Sequence, residues 1–140
     1  GPAPNDTLFV NNDGRLSWRG MVGGAWAGGM AETAPAVLAA ETWAHAAVTS
    51  DGDKFRIYVG GEMIIDGAFQ ETMGANTEYA VGGFAGGEAY TGGVDEFAVF
   101  TAALPDADIA SIVDGGLAAY LAVEADGKLA TQWGDLKDAR

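Results

Sequence analysis

Apolar and polar residues alternate with a period of two through the middle of the chain, and this pattern predicts β-strands with one buried face. In the run 54–59 the apolar positions are Phe55, Ile57 and Val59, whereas Tyr58 falls on the opposite, outward-facing side. The run 43–50 alternates in the same way. The pair Gly60-Gly61 is typical of a tight hairpin turn before the next strand, 62–68. These three runs predict an antiparallel meander.

The first thirty residues predict a hairpin followed by an ambiguous segment. The run 7–10 is rich in β-branched and aromatic residues, and the turn residues 11–14 separate it from 15–19, where Leu16 and Trp18 share one face. Five glycines between Gly20 and Gly29 are compatible with a flexible loop and equally with a glycine-kinked strand. The sequence leaves both alternatives open.

Beyond residue 77 the pattern predicts two more strands, 78–81 and 94–100, and then a helix. Pro105 and the acids after it suit a helix N-terminus, and Gly115-Gly116 suits its end. The apolar stripe of this helix consists of Ile109, Ile112 and Val113. A last hairpin is predicted from the runs 118–123 and 128–133.

Composition narrows the class of protein. A chain of 140 residues with 49% hydrophobic residues, 22 glycines and no cysteine fits one domain without disulfide bonds. The net charge of −13 disfavours binding to nucleic acid or insertion into a membrane. It is compatible with neutral polysaccharide, with divalent cations, or with solubility alone. Residues 1–4 resemble a linker left by protease cleavage, so the single domain is expected over 5–140.

Four runs between residues 43 and 109 carry a family resemblance. They are 43–52 (WAHAAVTSDG), 55–61 (FRIYVGG), 93–100 (GVDEFAVF) and 103–109 (ALPDADI). In content and in order they resemble the laminin-G-like domains, especially bacterial ones, of the concanavalin A-like lectin/glucanase superfamily. The resemblance implies an all-β fold, an antiparallel jelly-roll β-sandwich with one short helix near the C-terminus, and a secreted or cell-surface location.

Members of that family usually carry additional strands before the region that matches residues 7–19. This chain is therefore expected to be an N-terminally shortened member. Three explanations stay open: a minimal sandwich, an N-terminal segment that was removed, or a second copy that covers the exposed strand edges. Unpaired strand edges favour pairing with a strand of another chain, so a homo-oligomer formed through these edges is one of the expected partners.

The aromatic rings of the glycine-rich segments are the candidate ligand-binding residues. Trp26 and Tyr90 fall where strand alternation would not bury a ring, and sugars stack on exposed rings. Polar contacts to hydroxyl groups would come from Arg19, Asn76 and Glu88. The alternative is that these rings cap the ends of the sandwich. Trp18, Trp43 and Trp133 lie in predicted strands and are expected in the core.

A structural calcium ion is the one cofactor the sequence makes conceivable. Its carboxylate ligands would be Asp51, Asp53 and Asp95, with Asp6 and Asp13 as further candidates near the start. The lone histidine, His45, is interpreted as a packed, hydrogen-bonded structural residue.

Catalysis is not expected. Glycoside hydrolysis needs two carboxylates that face one groove. The acids Asp95 and Glu96 are adjacent in a predicted strand and would face opposite sides. The sequence therefore predicts a non-catalytic extracellular binding module, with carbohydrate recognition or adhesion as its role. The alternative is a structural or self-assembly domain whose strand edges pair with an extracellular protein.

Overall fold

The structure is a computed structural model that describes residues 6–22, 25–68, 81–83 and 89–122. Side chains are described for all of these except 6, 7, 19–22 and 25–30. The chain divides into two compact units, Gly1–Ala103 and Leu104–Arg140. The single domain predicted over 5–140 therefore stays a prediction.

The first sheet, called sheet A, has the antiparallel order β1-β2-β3. Its strands are β1 (Asp6–Val10), β2 (Leu16–Val22) and β3 (Ala25–Glu32). The predicted hairpin of 7–10 with 15–19 is thus confirmed. Two register shifts between β2 and β3 lie on either side of Arg19. The described residues of the glycine-rich segment, 20–22 and 25–29, therefore lie in strands with an irregular register rather than in a loop.

The second sheet, called sheet B, has the antiparallel order β4-β5-β6 and is the predicted meander. Its strands are β4 (Ala46–Ser50), β5 (Lys54–Val59) and β6 (Glu62–Ala68). Gly60 and Gly61 have φ angles of 58° and 83°. Positive φ at both positions is what a tight hairpin turn of the primed type requires, and glycine adopts it without steric cost.

The two sheets share one hydrophobic core, so the unit is a β-sandwich. Leu16 from sheet A and Phe55 and Ile57 from sheet B form its buried centre. Partly buried apolar residues pack around them: Leu8, Trp18, Ala31, Val37, Leu38, Val48, Val59 and Ile65. The predicted inward face of 54–59 is confirmed. The described sheets contain six strands, and the jelly-roll order stays a prediction.

Two aromatic residues of this unit lie where the sequence did not place them. Tyr58 was expected to face outward, yet only 1% of it is exposed. It lies in the central strand of sheet B, where β4 and β6 flank it, and the register shifts between Ile57 and Tyr58. Trp43 was expected in the core, yet it lies before β4 and is 74% exposed. The Trp43 ring lies close to the backbone of Gly93. A Cβ atom added at Gly93 would lie 2.8 Å from the ring.

The strand predicted for 94–100 is not present in the structure. Glu96 has a φ of 52°, which interrupts an extended chain, and its N–H donates to Asp95 Oδ1 at 2.9 Å. Val94, Phe97 and Val99 are more than half exposed. A β-strand needs backbone hydrogen bonds to a neighbouring strand, and no described strand pairs with this segment. Of the strand predicted for 78–81, only Val81 lies within the described residues, and it is not in a strand.

The second unit begins with helix α1 (Asp106–Gly115), as predicted. Pro105 precedes it, Asp106 and Asp108 lie in its first turn, and Ile109 and Ile112 are its buried residues. Residues 117–122 are also helical, which corrects the strand predicted for 118–123. This run is rich in alanine and leucine, which favour helix, and the short alternation is too weak to outweigh that preference. The predicted strand 128–133, with Trp133, lies outside the described residues.

Within the described part of the chain, no helix is both long enough and apolar enough to cross a lipid bilayer.

Candidate functional site

An open depression of about 230 Å³ lies at one end of sheet A. The β1–β2 turn forms one side of it, and the last residue of β3 forms the other. Every residue that lines it is polar: Asn11, Asn12, Asp13, Arg15 and Glu32. The turn brings them together because Asn11 N–H donates to the Arg15 carbonyl at 2.9 Å and closes the hairpin.

A chain of hydrogen bonds fixes one wall of the depression. Asn11 Nδ2 donates to Ser17 Oγ at 2.5 Å, and Ser17 Oγ donates in turn to Glu32 Oε1 at 2.9 Å. Ser17 is fully buried, so its hydroxyl cannot exchange these partners for bulk water. Ser17 and Glu32 are also direct cross-strand partners of β2 and β3. The backbone therefore holds the Glu32 carboxylate in place.

Arg15 lies between two carboxylates in the same depression. Its Nη2 and Nε donate to Asp13 Oδ2 at 2.8 and 3.0 Å, and its Nη1 donates to Glu32 Oε2 at 3.0 Å. The hydrogen bond from the Arg15 side chain holds the pKa of Asp13 below its ordinary value. The pKa of Arg15 is raised, chiefly by Asp13 and then by Glu32. We call Asn11, Asp13, Arg15, Ser17 and Glu32 the Arg15 cluster.

Sheet B carries a similar group, the Arg56 cluster, made of Asp51, Lys54, Arg56 and Asp66. Arg56 Nη1 lies 3.2 Å from Asp51 Oδ2, and its Nε lies 3.5 Å from Asp66 Oδ1. Lys54 Nζ lies 2.8 Å from Asp66 Oδ2. Arg56 and Asp66 are direct partners across β5 and β6. This cluster thus spans the middle of a sheet rather than its end.

The β4 side of sheet B contains two buried polar atoms without a hydrogen-bond partner among the described residues, His45 Nδ1 and Thr49 Oγ1. Burial lowers the pKa of His45, and the charge of Glu96 opposes that change. Among the described residues, His45 Nδ1 thus lacks the hydrogen bond that the sequence interpretation gave it.

The structure describes the side chain of only one of the five ligand-binding residues predicted from the sequence, so it does not test whether they come together. Tyr90 is 45% exposed, as a stacking ring would be. Trp26 pairs with Met21 across β2 and β3, and Arg19 pairs with Gly29, but their side chains are not described. Asn76 and Glu88 lie outside the described residues. The predicted set stays a prediction.

Two of the carboxylates proposed for calcium, those of Asp51 and Asp95, accept hydrogen bonds from backbone N–H groups close to them in the chain. Asp51 Oδ1 accepts the backbone N–H of Asp53 at 3.0 Å and that of Lys54 at 2.7 Å, which orders the β4–β5 turn. Those two bonds, from Lys54 first, lower the pKa of Asp51. In the part of the chain that the structure describes, no three acidic or histidine side chains are grouped as metal ligands would be. Asp51, Asp53 and Asp95 are therefore not one site there, and calcium binding stays a prediction.

The sequence predicts the turn at residues 11–14 but not the depression beside it. The available signal was the number of polar side chains around the hairpin, at Asn11, Asp13, Arg15 and Ser17. The missing part was Glu32, which meets Arg15 from 17 residues away along the chain.

Comparison with known proteins supports the fold. A family model described as the concanavalin A-like lectin/glucanases superfamily (Laminin_G_3) matches residues 3–110. No curated protein matches the chain in sequence.

One solved structure with a similar fold is that of an S-layer domain-containing protein, residues 221–444, from Clostridium thermocellum. It is 20% identical, with a TM-score of 0.50 over 79% of this chain. The chain spans 58% of the length of that structure. At this identity the likeness concerns the fold alone.

Proposed function

The chain belongs to the Laminin_G_3 family of the concanavalin A-like lectin/glucanases superfamily, and on that premise we propose that it is a non-catalytic carbohydrate-binding module of the cell exterior. The observation that carries this proposal is the open depression lined by five polar side chains at the end of sheet A. Its ligand would be a glycan, bound through hydroxyl groups.

The Arg15 cluster suits hydroxyl groups because it offers donors and acceptors in fixed positions. A sugar hydroxyl both donates and accepts hydrogen bonds, so it is complementary to neighbouring guanidinium and carboxylate groups. The hydrogen bonds from Asn11 through Ser17 to Glu32 hold the acceptor side before any ligand arrives. Such preorganisation reduces the entropy lost on binding.

The same contacts make Asp13 unsuited to act as the general acid of a glycosidase. A glycosidase needs one carboxyl group that stays protonated near neutral pH, which requires a raised pKa. Arg15 shifts the pKa of Asp13 in the opposite direction. Asp95 and Glu96 do not lie in a strand, so strand geometry does not place them on opposite faces. The case for binding therefore rests on the Arg15 cluster.

A second candidate function is structural assembly through strand edges. Strands β1, β3, β4 and β6 are the outer strands of the two described sheets. On β6, Met63 and Ile64 are 41% and 37% exposed. An exposed strand with apolar side chains is a template for strand addition by another chain. The similar fold of an S-layer domain-containing protein is compatible with such a role.

The substitution Glu32→Ala tests the carbohydrate proposal. It removes acceptors for Ser17 and Arg15, and we expect about tenfold or more weaker binding to whichever polysaccharide the wild type retains in affinity electrophoresis. Asp66→Ala is the matched control, because it removes a carboxylate from the Arg56 cluster. It should leave binding unchanged.

Two results would contradict the proposal: no polysaccharide retained by the wild type, or equal losses in both variants. A selective loss in Trp26→Ala or Tyr90→Ala would move the site to the residues predicted from sequence. Oligomers in light scattering that persist with sugar present, without any glycan binding, would favour the assembly function.

A further inference from the structure

We infer that the depression at the end of sheet A selects uncharged glycans and rejects sulfated and uronic-acid glycans. This inference rests on the proposed function and adds the class of ligand. It follows from how the charges of the Arg15 cluster are arranged.

The cation of the depression is already neutralised. Arg15 has five N–H groups, and three of them donate to Asp13 and Glu32 in the contacts given above. One positive and two negative side chains give the charged lining a net charge of −1. An anionic group entering here would gain one guanidinium contact and would face two carboxylates close by.

The remaining hydrogen-bonding capacity matches neutral hydroxyl groups. Of the five N–H groups of Arg15, three are engaged by described residues, and the other two can donate to a ligand. The Asp13 side chain is 46% exposed, so its carboxylate can accept a bond from a hydroxyl hydrogen. Of two neighbouring hydroxyls on one sugar ring, one could accept from an Arg15 N–H group while the other donates to the Asp13 carboxylate. An anionic oxygen carries no hydrogen atom that it could donate to the Asp13 carboxylate.

The rest of the described surface offers no substitute cation. The basic side chains that the structure describes are Arg15, Lys54 and Arg56, and each lies within 3.2 Å of a carboxylate oxygen. The whole chain carries a net charge of −13. At physiological salt, charges act over roughly 8 Å, so the local carboxylates dominate, and the overall charge adds to the repulsion at lower salt.

The size of the depression limits what it holds to a small part of a glycan. Pockets that enclose a drug-sized ligand have volumes of roughly 300–1,000 Å³. The depression measures about 230 Å³ and is open to solvent. It is therefore smaller than such a pocket, and a glycan bound there would be only partly covered.

The test compares calorimetric titrations with three probes: a neutral cello-oligosaccharide, a neutral manno-oligosaccharide and a heparin oligosaccharide of similar length. We expect the wild type to bind a neutral probe, with an affinity that changes less than about threefold between 50 and 200 mM salt. It should show no heat with heparin. Salt dependence is the mark of binding through charge.

The double variant Asp13→Asn, Glu32→Gln frees the Arg15 charge and keeps the side-chain shapes. It changes the charge of the lining from −1 to +1, and we expect it to gain heparin binding. The matched control is Glu41→Gln, Asp114→Asn, at two exposed carboxylates that form no salt bridge with a described basic side chain. It changes the net charge of the protein equally, and it should gain none.

The inference is overturned if the wild type binds heparin more tightly than either neutral probe, or if both double variants gain heparin binding equally. The proposed function fails separately, if the wild type binds no glycan. In that event the two double variants still decide whether the local carboxylates block anions at Arg15.

Discussion

The two sheets of this molecule each place one arginine between two carboxylates, yet the surroundings of the two arginines differ. Arg15 lies at the end of sheet A, where the β1–β2 turn and the end of β3 leave an open depression between them. Arg56 lies on the central strand of sheet B, with Thr49 and Asp66 directly beside it on the neighbouring strands. The same ion-pair chemistry therefore borders a concave surface in one place and lies along the middle of a sheet in the other.

The sheets also differ in what they contribute to the core. Sheet B supplies the buried side chains Phe55, Ile57 and Tyr58, whereas Leu16 is the buried large apolar residue described for sheet A. Exposed ion pairs stabilise a protein by only about 0–1 kcal/mol. Stability should therefore respond most to sheet B, and ligand binding to the end of sheet A.

The largest effect is expected from Ile57→Ala in sheet B. Ile57 is fully buried, and removing its side chain leaves a cavity in the shared core that should cost about 2–5 kcal/mol of unfolding free energy. Urea unfolding followed by tryptophan fluorescence measures it. Ile64→Ala on β6 is the matched control, because Ile64 is 37% exposed, and it should cost less than about 1 kcal/mol. Equal losses would show that burial in the shared core does not set the contribution of Ile57 to stability.

A smaller effect is expected from Gly14→Ala in the turn beside the depression. Gly14 has a φ of 75°, and an added Cβ would overlap the Leu38 carbonyl oxygen. We expect a loss of about 1–3 kcal/mol, from overpacking and from the left-handed conformation. Gly52→Ala, at a φ of 94° with nothing within 4 Å, carries the conformational cost alone. If thermal unfolding shows equal losses for both variants, the contact with Leu38 is unimportant.

The smallest expected effect is a dependence of the unfolding free energy on pH, which involves one aspartate from each arginine cluster. Asp13 and Asp51 both have a pKa below the ordinary value of 3.8 in the folded protein. A lowered folded pKa stabilises the protein above the unfolded value, and this stability is lost as pH falls through the folded value. Unfolding free energy should therefore decrease as the pH falls below about 4, and Asp13→Asn or Asp51→Asn should reduce that decrease.

The causes of the two pKa shifts differ, which sharpens the comparison. The side chain of Arg15 is the main cause for Asp13, whereas backbone N–H groups are the main cause for Asp51. Arg15→Gln should therefore raise the pKa of Asp13 toward 3.8, while Arg56→Gln should change that of Asp51 less. Carboxyl NMR titration measures both values. A larger change at Asp51 would reverse our assignment of causes.

The sequence by itself determined the local elements of this protein. Period-two alternation identified the meander and the inward face of β5. Gly60-Gly61 identified the hairpin turn, and Pro105 with the apolar stripe after it identified helix α1. These features could be predicted because each depends on residues that are close together in the chain.

Only the tertiary structure decided what depends on distant partners. The strand predicted for 94–100 has no partner in the described sheets, and Trp43 rests on the backbone of Gly93 instead of entering the core. Glu32 reaches Arg15 across a strand pair whose register shifts beside Arg19. A register shift changes which side chains meet without changing the pattern of apolar positions within either strand. For that physical reason the strands could be predicted from the sequence, and the candidate site between them could not.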